Sequence, residues 1–217
     1  MKTRRRQQSG FTLIEVMIAS ALFVVIMVLG IGGLLSVYKT YQVNRGMREI
    51  VDNLNTVMED MSRNIRLGRD FTCLEGSQRL GSPDINGTQV IDPDRADCSS
   101  PKGYTLYFKG QEADVSVVTD RIIYSFTPAD DGDWTKGVIV KSRNGGISYA
   151  QITTPGVVIN MAQSGFIVIG SSPTDSAQPL ILIKIVGSFT YKDVTIPFNI
   201  QSTVTSRDLD LDVTTTP

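Results

Sequence analysis

Ser9-Gly10-Phe11-Thr12-Leu13-Ile14-Glu15 runs straight into Val16-Met17-Ile18-Ala19-Ser20-Ala21-Leu22-Phe23-Val24-Val25-Ile26-Met27-Val28-Leu29, and no charge appears again until Lys39. The 23 positions from Val16 to Tyr38 exceed the roughly 20 apolar residues a helix needs to cross a bilayer core. A buried helix of a soluble protein would be shorter and would carry a polar stripe. Lys2, Arg4, Arg5 and Arg6 precede the run with no acid among the first ten residues. Such a basic flank stays in the cytoplasm, which places the C-terminal part outside the inner membrane in a single pass.

Two features set this segment apart from an ordinary anchor. A secretory signal is cut after its apolar region, at a small-residue site, whereas Ala19-Ser20-Ala21 lies inside the run with long aliphatic residues beyond it. A Gly10–Phe11 junction stands before the run instead. Glu15 then puts an acid at the start of a membrane-length segment, where insertion scales charge about 2.5–3.5 kcal/mol and a partner is expected. If the chain is cut between Gly10 and Phe11, Phe11 gains a free ammonium. In an assembly of axially staggered subunits that ammonium meets the Glu15 carboxylate of a neighbour, so each neutralises the other in low dielectric and fixes the register.

The segment Ser9 to Glu15, with its basic leader and apolar run, resembles the class III signal of type IV pilins and type II secretion pseudopilins. The resemblance implies a membrane-embedded prepilin peptidase that cuts after Gly10 and methylates Phe11. It also implies that Glu15 guides assembly with other pilin or pseudopilin subunits. The end of the helix, Met61-Ser62-Arg63-Asn64-Ile65-Arg66, and the closing Phe198-Asn199-Ile200-Gln201-Ser202-Thr203-Val204-Thr205-Ser206-Arg207 are similar to J-type pseudopilins and W-type minor pilins. Major type IV pilins commonly carry a proline early in the mature helix. Here no proline precedes Pro83, and Gly30, Gly32 and Gly33 occupy that region, either as a soft point or as close-packing positions between helices.

The helix is expected to continue past the bilayer. Val43, Met47, Ile50, Leu54, Val57, Met61 and Ile65 recur at helical period; Val51 and Met58 widen the band, and Asp52, Glu59, Asp60 and Arg63 fall mostly on the other side. Gly68 is a plausible stop. A helix from Phe11 to Leu67 would be roughly 85 Å long. Residues 74–103 are rich in Gly, Pro and polar residues and read as loop with short strands. They hold Cys98, and Cys73 precedes them; outside the inner membrane a disulfide between these two persists, stabilising by roughly 3.5 kcal/mol on the chain-entropy estimate. Two free thiols are the alternative.

From Tyr104 the texture is that of strands, over 104–109, 121–127, 137–143, 147–152, 156–162, 166–170, 180–189 and 194–206. Asn144-Gly145-Gly146 signals a hairpin. Phe198, Ile200, Ser202 and Val204 alternate with Asn199, Gln201, Thr203 and Thr205, giving one covered and one wet face. Pro197 assigns the start of that strand to an edge or bulge. The expected fold is α+β and pilin-like: a long N-terminal hydrophobic spine helix packed on a mostly antiparallel β-sheet domain. Its parts are a cleaved leader 1–10, an assembly half of the helix 11–38, an amphipathic half 39–68, a β-rich domain 69–207 with the 73–98 disulfide loop, and an acidic tail 208–217.

Composition narrows function. The chain has no histidine and two cysteines, which removes Ser-His and Cys-His nucleophile systems, His-ligated zinc and iron–sulfur clusters. No P-loop, dinucleotide fingerprint or acid–base pair is present, so no catalysis is expected. The net charge is −1, and −5 without the four leader charges, with bases dispersed, so no nucleic-acid site is expected. Asp130, Asp131 and Asp133 around Gly132 are candidate calcium ligands, though the EF-hand spacing is not met and short Asp-Gly runs are usually solvated turns. No other cofactor is expected. The reading is a structural subunit; a pilus-associated binding module and a plain single-pass membrane protein are the alternatives.

Overall fold

The computed structural model describes residues 10–75, 97–110, 120–129, 133, 135–172, 177–191 and 194–207. Among the described residues the architecture is α+β: one long N-terminal helix, α1 (Leu13–Arg66), followed by an antiparallel sheet of nine strands. The contacts divide the chain into two compact units, Met1–Gly46 and Met47–Pro217.

In the first unit α1 is continuous through Gly30, Gly32 and Gly33, and a Cβ at any of the three would meet no atom within 4 Å. From Val16 to Tyr38 its apolar side chains are exposed on every side, among them Ile18, Leu22, Phe23, Val28 and Leu34. The helix is long and apolar enough to cross a membrane.

In the second unit α1 becomes amphipathic as its period requires. Ile50, Leu54, Val57, Met58, Met61 and Ile65 are buried against Phe71, Leu106, Phe108, Tyr124, Phe126 and the Ile181, Ile183, Ile185 row. The expected band is narrower than the sequence implied, because Met47 and Val51 are 38% and 42% exposed. Gly68 N donates to Ile65 O at 3.0 Å just past the helix end. Gly68 lacks the left-handed conformation of a capping glycine; it is small because a Cβ there would lie 2.5 Å from Phe108 Cδ2. Asp70 takes the left-handed turn instead, with φ 55°, and is ion-paired to Lys109 at 3.0 Å.

The strands are β1 (Arg69–Glu75), β2 (Cys98–Lys109), β3 (Arg121–Pro128), β4 (Lys136–Ser142), β5 (Ala150–Gln151), β6 (Val157–Asn160), β7 (Gly165–Ile169), β8 (Leu180–Tyr191) and β9 (Val194–Thr205). Their ladder closes on itself. β2 pairs with β3, β3 with β4, β4 with β6, β6 and β7 both with β8, and β7 returns to β2 at Cys98 and Gly103. The turn of 3₁₀ helix Met161–Gln163 joins β6 to β7. There Ser164 Oγ donates to Val186 O and accepts from Val186 N, 2.9 Å each, so a side chain fills the gap in the ladder. β8 pairs β9 along its whole length.

Two regions depart from the sequence expectation. β1 follows the helix at once and pairs β2, ahead of the strands expected from Tyr104, and β2 extends back to Cys98 through the stretch read as loop with short strands. β1 gave little signal, since Arg69, Asp70 and Glu75 outnumber its large apolar residues. Conversely, the 147–152 strand shrinks to Ala150–Gln151. The Asn144-Gly145-Gly146 turn forms as expected, both glycines at positive φ.

The disulfide Cys73–Cys98 is present, with Cα atoms 5.6 Å apart and both residues buried. It bonds β1 to the start of β2. Gly103 lies beside it, where a Cβ would overlap both sulfurs.

Asp60, assigned by period to the wet side, is half-buried and clasps helix to sheet. Its carboxylate accepts from Lys141 Nζ (2.8 and 2.6 Å), Tyr124 OH (2.6 Å) and Asn64 Nδ2 (3.1 Å). Burial alone would raise the carboxyl, but the bonds from Lys141 and Tyr124, the Lys141 charge and Asn64 outweigh it and hold it below its ordinary value. Burial, reinforced by that carboxylate, pushes the Tyr124 hydroxyl far above the usual phenol range.

Candidate processing and assembly site

The first turn of α1 explains its own start. Thr12 precedes the helix, and Val16 N donates to Thr12 O at 3.3 Å. Glu15 N donates to Thr12 Oγ1 (3.4 Å), while Glu15 Oε2 accepts from Thr12 N and Thr12 Oγ1, both at 3.0 Å. This is a reciprocal capping box, in which two backbone donors that a helix N-terminus leaves unsatisfied gain side-chain acceptors. A carboxylate there also favours the positive end of the helix dipole. The spacing Thr-x-x-Glu before an apolar run was the readable signal, and a reading centred on charge alone overlooked it.

Glu15 therefore has a partner within its own chain. Its other oxygen, Oε1, has none among the described residues. A hollow of about 520 Å³ lies beside it, lined by Phe11, Glu15, Val16, Ala19 and Ser20. The small Ala19 and Ser20, one turn beyond the acid, open that space. One carboxylate thus caps the helix through Oε2 and leaves Oε1 without a partner among the described residues.

Gly10 lies just before this turn and is exposed. A Cβ there would meet nothing within 4 Å, so the fold itself does not demand glycine at this position. Phe11 is 88% exposed. The basic leader 1–9 lies outside the described residues.

The disulfide pair Cys73 and Cys98 sits in the second unit and belongs to the sheet. Of the calcium candidates, Asp130 and Asp131 lie outside the described residues. Asp133 Oδ1 accepts from Thr135 N (2.9 Å) and Thr135 Oγ1 (2.5 Å), bonds that hold its carboxyl below the ordinary value. Asp97 is similarly engaged, accepting from Gly170 N and Ser171 N at 3.1 and 2.8 Å. No group of three or more His, Cys, Asp or Glu fit to hold a metal occurs among the described residues.

No curated protein and no solved structure matches this chain. Residues 5–35 match the family model described as the prokaryotic N-terminal methylation motif, a span that holds Gly10, Phe11, the Thr12–Glu15 cap and most of the apolar run. The chain thus carries a prokaryotic N-terminal methylation motif at the start of α1.

Proposed function

We propose that this chain is a structural subunit, a minor pilin or pseudopilin, of a type IV pilus-like filament or a type II secretion pseudopilus. In this reading a precursor enters the inner membrane through residues 11–38 with its leader in the cytoplasm. Prepilin peptidase hydrolyses the Gly10–Phe11 amide, releasing residues 1–10 and leaving an amine on Phe11, which is then methylated. The domain at 69–207 stays outside the inner membrane, and the 208–217 tail follows it. Helix α1 joins other pilin or pseudopilin subunits, the Phe11 ammonium of one meeting Glu15 of the next.

The observation that carries this reading is the motif match over residues 5–35, which joins a cleavage junction to an acid already positioned in the first helical turn. The low-dielectric setting supports the pairing. A lone carboxylate is unfavourable in lipid, and an ammonium brought beside it removes most of that penalty. The test is fractionation of producing cells: filaments are sheared off or released from the membrane, pelleted and immunoblotted for this chain. Recovery with the filament supports the subunit role. Retention of all the processed chain in the inner membrane, while filaments still form, overturns it.

A further inference from the structure

A hollow of about 430 Å³ opens on the exposed side of the last two turns of α1, where β9 ends; Glu59, Ser62, Arg63, Arg66, Leu67 and Arg207 line it. It gathers three guanidinium groups around a single carboxylate. Basic residues in a last turn suit the negative end of the helix dipole, but Arg207 lies beyond β9, its backbone N–H donating to Arg66 O at 3.0 Å. None of the three arginine side chains has an ion-pair partner among the described residues. Glu59 stands four residues before Arg63, the spacing and order that favour a pair within one helix, yet the two are not joined. Nearer the N-terminus Arg48 and Asp52 repeat the pattern: exposed, four residues apart and unpaired among the described residues.

These open charges complement those of a second, parallel copy at one displacement. A shift of four residues, about 6 Å along the helix, sets Arg48 level with Asp52, Glu59 with Arg63, and the exposed Met47 with the exposed Val51. No like charges meet on the exposed side of the helix. With no shift every charge meets itself. A shift of three sets Glu49 beside Asp52 and Arg63 beside Arg66, and shifts of seven and eleven each set two acids side by side. A shift of fourteen pairs Glu49 with Arg63 and Asp52 with Arg66. Four is the displacement that also brings Phe11 of one copy to Glu15 of the next, and copies related by one screw operation rise equally at every residue.

We propose that the arginine hollow at the end of α1 receives Glu59 of a second, parallel copy displaced by four residues, with Arg48 meeting Asp52 as the companion pair. Exposed pairs contribute little each. Their effect is on register, because the wrong displacements oppose like charges. The contact is heterologous, so it repeats along a filament instead of closing, and both copies keep one membrane orientation. The inference rests on the subunit reading and names the neighbour and the register.

Two differently tagged full-length copies are co-expressed in cells that assemble the filament, each with one introduced cysteine, since the native pair is bonded to itself and no free cysteine exists. The filament fraction is treated with a short bismaleimide and blotted for both tags. Glu59→Cys with Arg63→Cys, and Arg48→Cys with Asp52→Cys, are expected to link several-fold more than Arg63→Cys with Arg63→Cys or Asp52→Cys with Arg66→Cys. Links no stronger than the same-position control, or strongest between positions 52 and 66, in filaments that contain the chain, overturn the proposal and leave the subunit reading standing. Absence of the chain from the filaments overturns both. Glu59→Arg in every copy should lower the link between positions 48 and 52 several-fold with the melting temperature unchanged, and adding Arg63→Glu should restore it. An undiminished link in Glu59→Arg, or no recovery in the double variant, also overturns the proposal.

Discussion

Glu15 performs two tasks with one carboxylate, and substitution separates them. Glutamine keeps an acceptor for Thr12 N, as a capping box allows, but removes the charge; alanine removes both. Loss of a cap costs about 0.5–2 kcal/mol, a local effect on a helix that remains long and apolar. Glu15→Gln is therefore expected to depress incorporation into filaments nearly as far as Glu15→Ala, with cleavage largely retained in each, as read by shearing and immunoblot. Wild-type incorporation of the glutamine variant would show that the cap, and not an ammonium partner, is what assembly requires. Gly10 separates fold from processing in the same way. Space around it is open, so Gly10→Val should leave melting of the second unit unchanged while uncut precursor accumulates in the membrane. Efficient processing of that variant would contradict the assigned junction.

Within the elements, the Asp60 clasp holds the amphipathic part of α1 to β3 and β4. Asp60→Ala strands Lys141, which is only 7% exposed, and should destabilise the second unit by about 1–3 kcal/mol. The low end applies, since the Asp60 side chain is itself 34% exposed and water screens the pair. The folded carboxyl sits below its ordinary value. Its stabilisation is thus complete above the ordinary carboxylate range and is lost as pH falls through the lower folded value. Asp60→Asn should flatten that acid limb in thermal melts; an unchanged limb would assign it to other groups. Gly103→Ala should destabilise as well, because its Cβ collides with the Cys73–Cys98 bridge, and melts of the oxidised chain will show it. The 3.6-residue period placed Leu54, Val57, Met61 and Ile65 in the core correctly, since burial follows a helix face. It misassigned Asp60, since periodicity ranks side chains by polarity and a paired carboxylate at an interface looks like a wet one.

Across the whole molecule, the α+β order was readable because two strong patterns follow one another: a membrane-length apolar run and then alternating strands. The disulfide was anticipated from compartment, and the structure supplies its place between β1 and β2. The closure of the sheet through β7 and β2 was not readable. It depends on pairings between residues far apart, such as Gly103↔Phe166, and on Ser164 substituting for backbone in the ladder. The Thr12–Glu15 cap was readable from its spacing and went unread. The most direct measurement is the mass of the N-terminal peptide of the chain purified from membranes of cells that hold the peptidase. A peptide beginning at singly N-methylated Phe11 is the expected result. A peptide that still begins with Met1 and the basic leader, in cells whose filaments assemble with this chain in them, would contradict the account.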